Sequence, residues 1–174
     1  MKRILIVIMT ALLITVFAAC AKQETPSAQT ESPQASQGAQ IANPWKDAKD
    51  AAEVKEMTGL EMGSLPEGAT DVTYSVLESQ KLAQAVFTWK GDTYTLRMVK
   101  GSPEEDLSGM FVEFDETQEL RFEDYPYTIR YNEGAEGVAE WHDELTDVEY
   151  SVTMQTGATK DKLSDVSVAL IPAG

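Results

Sequence analysis

The chain has 174 residues, of which 29 are acidic and 14 basic, giving a net charge of −15 with one histidine and one cysteine. It holds no cluster of lysine or arginine to displace counterions, which argues against nucleic acid as a partner. A lone cysteine permits no internal disulfide, so the fold stands on its core alone.

Lys2 and Arg3 precede an uncharged run at residues 4–17. As a helix it spans about 21 Å, short of a hydrocarbon core of about 30 Å, so it reads as the apolar region of a signal peptide. Ala18, Ala19 and Cys20 follow it and resemble the lipobox of bacterial lipoproteins. The resemblance implies a signal peptide at residues 1–19 and Cys20 as the mature N-terminus, carrying diacylglycerol on sulfur and palmitate. Ala19, Cys20 and Ala21 also fit an ordinary secretory cut, which would release a soluble protein with one free thiol. Both readings export the chain.

Residues 20–43 are the cysteine and a tract of Gln, Ser, Ala, Thr and Pro whose one large aliphatic residue is Ile41. Such a tract buries too little apolar surface to offset its ordering entropy, and as a coil it reaches roughly 25 Å. Without Lys2 and Arg3, 12 basic residues face 29 acids, a net charge of −17. That charge disfavours adsorption to an anionic lipid surface, so membrane attachment would rest on the lipid.

One domain is expected over residues 44–174. Asp50 and Glu53 have capping-box spacing, Ala51, Val54 and Met57 recur at helical spacing, and Gly59 is a left-handed stop, which predicts a helix over 51–58. Val72, Tyr74 and Val76 then alternate as a strand would. Residues 82–101 predict a hairpin with Gly91-Asp92 as its two-residue loop, so that Trp89 opposes Tyr94, Phe87 opposes Leu96 and Ala85 opposes Met98 on a core face. The other face carries Thr88, Thr95, Val86 and Arg97 and is expected to be solvated. Further strands are expected near 110–114, 117–123, 126–131, 137–142 and 147–154. At the C-terminus, Leu163, Val166 and Leu170 fit a helix begun by Thr159, while Val166, Val168 and Leu170 alternate as in a strand; the helix is favoured.

Arg97, Lys100 and Gly101, then Asp106, Ser108 and Gly109, then Ala139 with Trp141, follow one another along this domain. In that order they resemble a domain of unknown function common in exported lipoproteins and anti-sigma-factor-like membrane proteins of Gram-positive bacteria. The resemblance covers nearly the whole domain. It implies an α+β fold, an antiparallel meander sheet with a short N-terminal helix and a C-terminal helix packed on one face, and it implies no activity.

Little in the chain points to chemistry. His142 alone could relay a proton, and it sits in a turn-like stretch, so no catalytic residue is assigned. One histidine and a lipidated cysteine make no metal ligand set, and Met154 stands where a calcium loop needs its twelfth-position glutamate. No cofactor is implied. Trp89, Tyr94 and Trp141 read as core rather than as a stacking platform. Arg97, beside Thr88 and Thr95, is favoured as the ion-pair partner of a nearby acid such as Asp106; the alternative is that these three residues contact a carboxylate-bearing ligand or partner. The expectation is a membrane-tethered, extracytoplasmic, non-catalytic binding or accessory module with an unidentified envelope ligand or protein. The alternatives are a carboxylate-dependent hydrolase of a cell-wall polymer and a purely structural or protein-interaction domain.

Overall fold

Eight strands pair into one antiparallel sheet in the computed structural model, which describes residues 43–101, 103 and 106–171. The signal-peptide region, Cys20 and nearly all of the linker lie outside the described residues. In chain order the elements are β1 (Lys46–Ala48), α1 (Ala51–Thr58), β2 (Thr70–Leu77), β3 (Leu82–Trp89), β4 (Asp92–Lys100), β5 (Glu116–Phe122), β6 (Tyr125–Tyr131), β7 (Gly137–Asp143), β8 (Val148–Met154) and α2 (Lys160–Leu170). The spatial order is β1-β2-β3-β4-β8-β7-β6-β5. Two four-stranded meanders therefore meet along β4 and β8, and sheet dominates this α+β fold.

Local chemistry sets the helix limits. The Asp50 carboxylate accepts from the Glu53 amide at 2.9 Å, and Glu53 in turn accepts from the Lys49 amide at 2.8 Å. Gly59 ends α1 at φ 80°, its amide donating to the Lys55 carbonyl. The C-terminal segment is a helix, because the Thr159 hydroxyl caps its first turn while Leu163 and Val166 bury the inward stripe.

The β3–β4 hairpin corrects the expected register. Its loop is Lys90-Gly91, with φ of 52° and 87°, and Asp92 already pairs with Trp89. A two-residue loop matching the sheet's twist needs positive φ at both positions, which places glycine second and leaves Asp92 in the strand. Phe87 consequently opposes Tyr94, and Ala85 opposes Leu96. The shift is two residues, the side-chain period of a strand, so each side chain keeps its expected face. Phe87, Tyr94, Leu96 and Met98 are buried, whereas Thr88, Thr95 and Arg97 are only partly so.

Two apolar clusters lie against the helices. Val54 of α1 packs with Ala48, Leu60, Val76, Ala83, Ala85 and Met98. Leu163 and Val166 of α2 pack with Phe87, Tyr94, Ile129, Trp141 and Val152, among others. Phe87 stacks on Tyr94 at 5.6 Å and Trp141 on Tyr150 at 5.1 Å.

No strand forms at 110–114. The connection from β4, in the middle of the sheet, to β5 at its far edge lies there instead. Its residues 106–115 lie over the side of the sheet where Arg97 and Arg130 project and are called the strap below. Leu107 and Met110 of the strap are buried, as are Leu82 and Val138, which face it from the sheet. The second face is therefore covered around Leu82 and Val138, while Val86, Thr88 and Thr95 remain partly exposed.

Phe87→Ala should cost about 3–5 kcal/mol in urea melts, and Thr88→Ala well under about 1 kcal/mol. Gly137→Ala should cost about 1–3 kcal/mol by overpacking, since a β-carbon there would lie 2.8 Å from Ala158 Cβ and from Leu163 Cδ1. Equal losses at Phe87 and Thr88 would contradict the assigned faces.

Candidate functional site

Of the residues that carry the sequence resemblance, Arg97, Asp106, Ser108 and Gly109 come together at the strap, whereas Ala139 and Trp141 lie in the α2 cluster on the other face. Arg97 lies in a cross-strand row with Gln84 of β3, Ser151 of β8 and Glu140 of β7. Its Nε donates to Gln84 Oε1 at 2.9 Å, and its Nη1 donates to the Ser108 and Leu107 carbonyls at 2.9 and 3.3 Å. Its guanidinium also lies 5.3 Å from the Trp45 ring centre. Burial pulls the Arg97 pKa down, against the opposing pull of the Asp106 carboxylate.

The strap turns here for local reasons. Asp106 Oδ1 accepts from the Ser108 amide at 2.7 Å, and Ser108 Oγ accepts from the Met110 amide at 3.1 Å. Gly109 adopts φ 65°, and a β-carbon on it would sit 2.1 Å from Arg97 Nη1. Only glycine lets the strap backbone approach the guanidinium this closely.

Asp106 is not the ion-pair partner of Arg97. It faces Arg130 of β6 at 3.5 Å, and the same Arg130 nitrogen donates to Glu140 at 2.7 Å. Arg97 Nη1 donates instead to the two strap carbonyls. Burial works to raise the Asp106 pKa but is outweighed by hydrogen bonds from Ser108 and the charge of Arg130, which hold it below the ordinary range. Burial pushes Glu140 up, against the pull of Arg130, and Asp106 adds to the rise. Ser151, buried between Arg97 and Glu140 in the row, has no hydrogen-bond partner for its hydroxyl among the described residues.

Thr88 and Thr95 share this face with Arg97, but neither hydrogen-bonds to it. Thr88 opposes Thr93, and Thr95 lines a shallow recess of about 200 Å3 with Thr93 and Thr153. Thus Arg97, read from sequence as an ion-pair partner or a contact residue, is here a strap anchor. Gln84, Arg130 and Glu140 escaped the sequence reading, although each alternates with core residues in its own strand and so had to face the strap side.

His142 of β7 sits beside Glu149 at 3.1 Å through Nδ1 and beside Asp147 at 3.6 Å through Nε2. Both ring nitrogens face carboxylates from its own hairpin. Burial raises the Glu149 pKa, against the effect of His142. Trp89 is buried, with its Nε1 donating to the Glu67 carbonyl at 3.0 Å, and Tyr94 and Trp141 are buried as well. Among the described residues, no three His, Cys, Asp or Glu side chains are grouped so as to hold a metal ion.

No family model, curated protein or solved structure matches this chain, so its function must be argued from its own residues.

The strap lock makes two predictions. Arg97→Met and Gly109→Ala should each cost about 1.5–3 kcal/mol, and the double variant should cost clearly less than their sum, because both break the same contact. Additive losses in a double-mutant cycle would separate the two residues. Asp106 carries a depressed pKa, so its contribution is complete above the unfolded aspartate value of 3.8 and is lost as pH falls through the lower folded value. The stability gap between the parent and Asp106→Asn should accordingly be widest near neutral pH and close in strong acid, as read by urea melts across pH.

Proposed function

We propose that this protein is a lipid-anchored, extracytoplasmic binding or accessory module of the cell envelope, without catalysis of its own. Cys20 would carry the lipid and hold the domain at the outer face of the cell membrane through the linker. Among the described residues no helix is long and apolar enough to cross a membrane. In fold, the reading is an α+β module with both helices on one sheet face. Its support is the odd-numbered row of β3: Ala83 and Ala85 lie in the α1 cluster, and Phe87 and Trp89 lie in the α2 cluster. The reading also keeps the resemblance to the Gram-positive lipoprotein domain, whose Arg97, Asp106, Ser108 and Gly109 act together in the strap lock.

One observation carries the binding role. Phe111 is 97% exposed at the crest of the strap, next to the exposed Val112, and Leu145 is 89% exposed at the β7–β8 turn. A chain with so many acids has ample polar side chains for these positions, and large apolar groups on display are commoner where a partner covers them. The strap lock ties down the backbone as far as Met110, immediately before Phe111.

Two measurements test this. Cys20→Ala should leave the domain folded and shift it to the medium or to unprocessed precursor; a variant still processed and tightly membrane-held would remove the anchor. A photoreactive phenylalanine analogue at Phe111 should cross-link in intact cells to a discrete envelope component. Background labelling alone, there and from Val112, would sink the binding role.

A further inference from the structure

The β5–β6 and β7–β8 turns lie together at one end of the sheet and enclose a cleft of about 530 Å3. That volume falls within the about 300–1,000 Å3 usual for ligand clefts. Tyr125, Pro126 and Leu145 supply its apolar lining, and Glu123, Asp124 and Glu144 supply carboxylates. None of these three acids has an ion-pair partner among the described residues. Of the other charged groups lining the cleft, Asp143 and His142 are engaged, and Arg121 leaves a single cation among the carboxylates. Arg121 donates to the Asp124 carbonyl at 3.3 Å, Asp143 accepts from the Leu145 amide and the Thr146 hydroxyl, and His142 is held by Glu149. Leu145, at the tip of its turn, is nearly fully exposed beside them.

We propose that this cleft binds a peptide segment in which a lysine or arginine adjoins an apolar side chain. The inference rests on the binding-module reading and names the chemistry of its partner. An apolar wall next to three carboxylates that outnumber the single Arg121 cation complements such a segment in both respects: the cationic head meets Glu123, Asp124 and Glu144, while its neighbour packs on Leu145, Pro126 and Tyr125. Neither feature suffices alone. A purely cationic ligand would find equivalent carboxylates over much of a surface this acidic, and a purely apolar one would bury the three charges without a partner. Selectivity comes from their adjacency.

The probe is a labelled hexapeptide alternating lysine and leucine, titrated against the full chain by fluorescence anisotropy. Controls are the lysine–serine and glutamate–leucine peptides. The lysine–leucine peptide should bind at least about tenfold tighter than either control. The triple variant Glu123→Gln, Asp124→Asn, Glu144→Gln should lose about tenfold in affinity, and Leu145→Ser should lose a comparable factor. Neutralising Glu113, Glu116 and Glu119 by Gln removes the same charge elsewhere and should leave binding within about twofold. Equal losses from both triple variants would mean diffuse attraction to an acidic protein and would overturn the site, as would equal binding of the lysine–serine peptide. Thermal melts check that each variant is folded; if the cleft triple variant melts early, Leu145→Ser and the control peptides decide alone. Cross-linking at Phe111 with no peptide preference at the cleft would reject this site while leaving the binding-module reading intact.

Discussion

The pairing of β4 with β8 is the constraint from which the rest of the molecule follows. Short turns join β2 to β4 and β5 to β8 in succession, and α1 lies in the connection from β1 to β2. Joining the two meanders edge to edge places consecutive strands β4 and β5 four positions apart in the sheet. At about 4.8 Å per strand the chain must then travel about 19 Å across a face before it can resume pairing. Fifteen residues join the two strands, and the face under the strap cannot be left to water. The sheet answers with Leu82, Val138, Gln84, Arg97, Arg130 and Glu140, a layer that is part apolar and part hydrogen-bonded. Arg97 is held in this layer by the route of the backbone, and that is why it is not free to receive a ligand.

How much of this was legible in the sequence depended on how local each signal is. The limits of α1 followed from Asp50, Glu53 and Gly59, all within one short segment. The two faces of the hairpin followed from alternation alone, which is why a loop misplaced by one position still left Phe87 and Leu96 inside. Strand β1 was missed because three residues carry no readable period. The strap was missed for a deeper reason, since its course is dictated by a pairing between segments almost fifty residues apart and by nothing in its own composition. Asp106, Ser108 and Gly109 could be recognised as a turn, and Arg97 as a cation on a mixed face, but only the β4–β8 junction brings the turn over the cation.

The acids of this protein fall into two populations with different physical roles. Asp106 and Asp143 accept hydrogen bonds that shape the backbone around them and, against the effect of burial, hold their pKa values down, whereas burial pushes Glu140 up against the pull of Arg130. Most of the others stand in solvent and keep the surface strongly anionic. Lys90 and Lys162 link the two halves of the fold, pairing with Asp165 and Asp92 so that the β3–β4 turn and α2 are joined by reciprocal contacts, each at 2.9 Å. Exposed pairs of this kind add little energy singly, yet here they set how the helix lies on the hairpin.

Because β8 is both the last strand in the chain and a central one in the sheet, the fold is completed from its middle. Until residues 148–154 arrive, β4 presents an open edge bearing Tyr94, Leu96 and Met98, and β7 presents another bearing Ala139 and Trp141. Two half-sheets with sticky, unpaired borders must coexist during synthesis, and the contacts that finally seal them are among the most distant in the chain. Such a topology folds slowly and is vulnerable to pairing between neighbouring molecules while it waits. An acidic chain that repels its own copies during that interval has a kinetic advantage that its finished structure no longer displays.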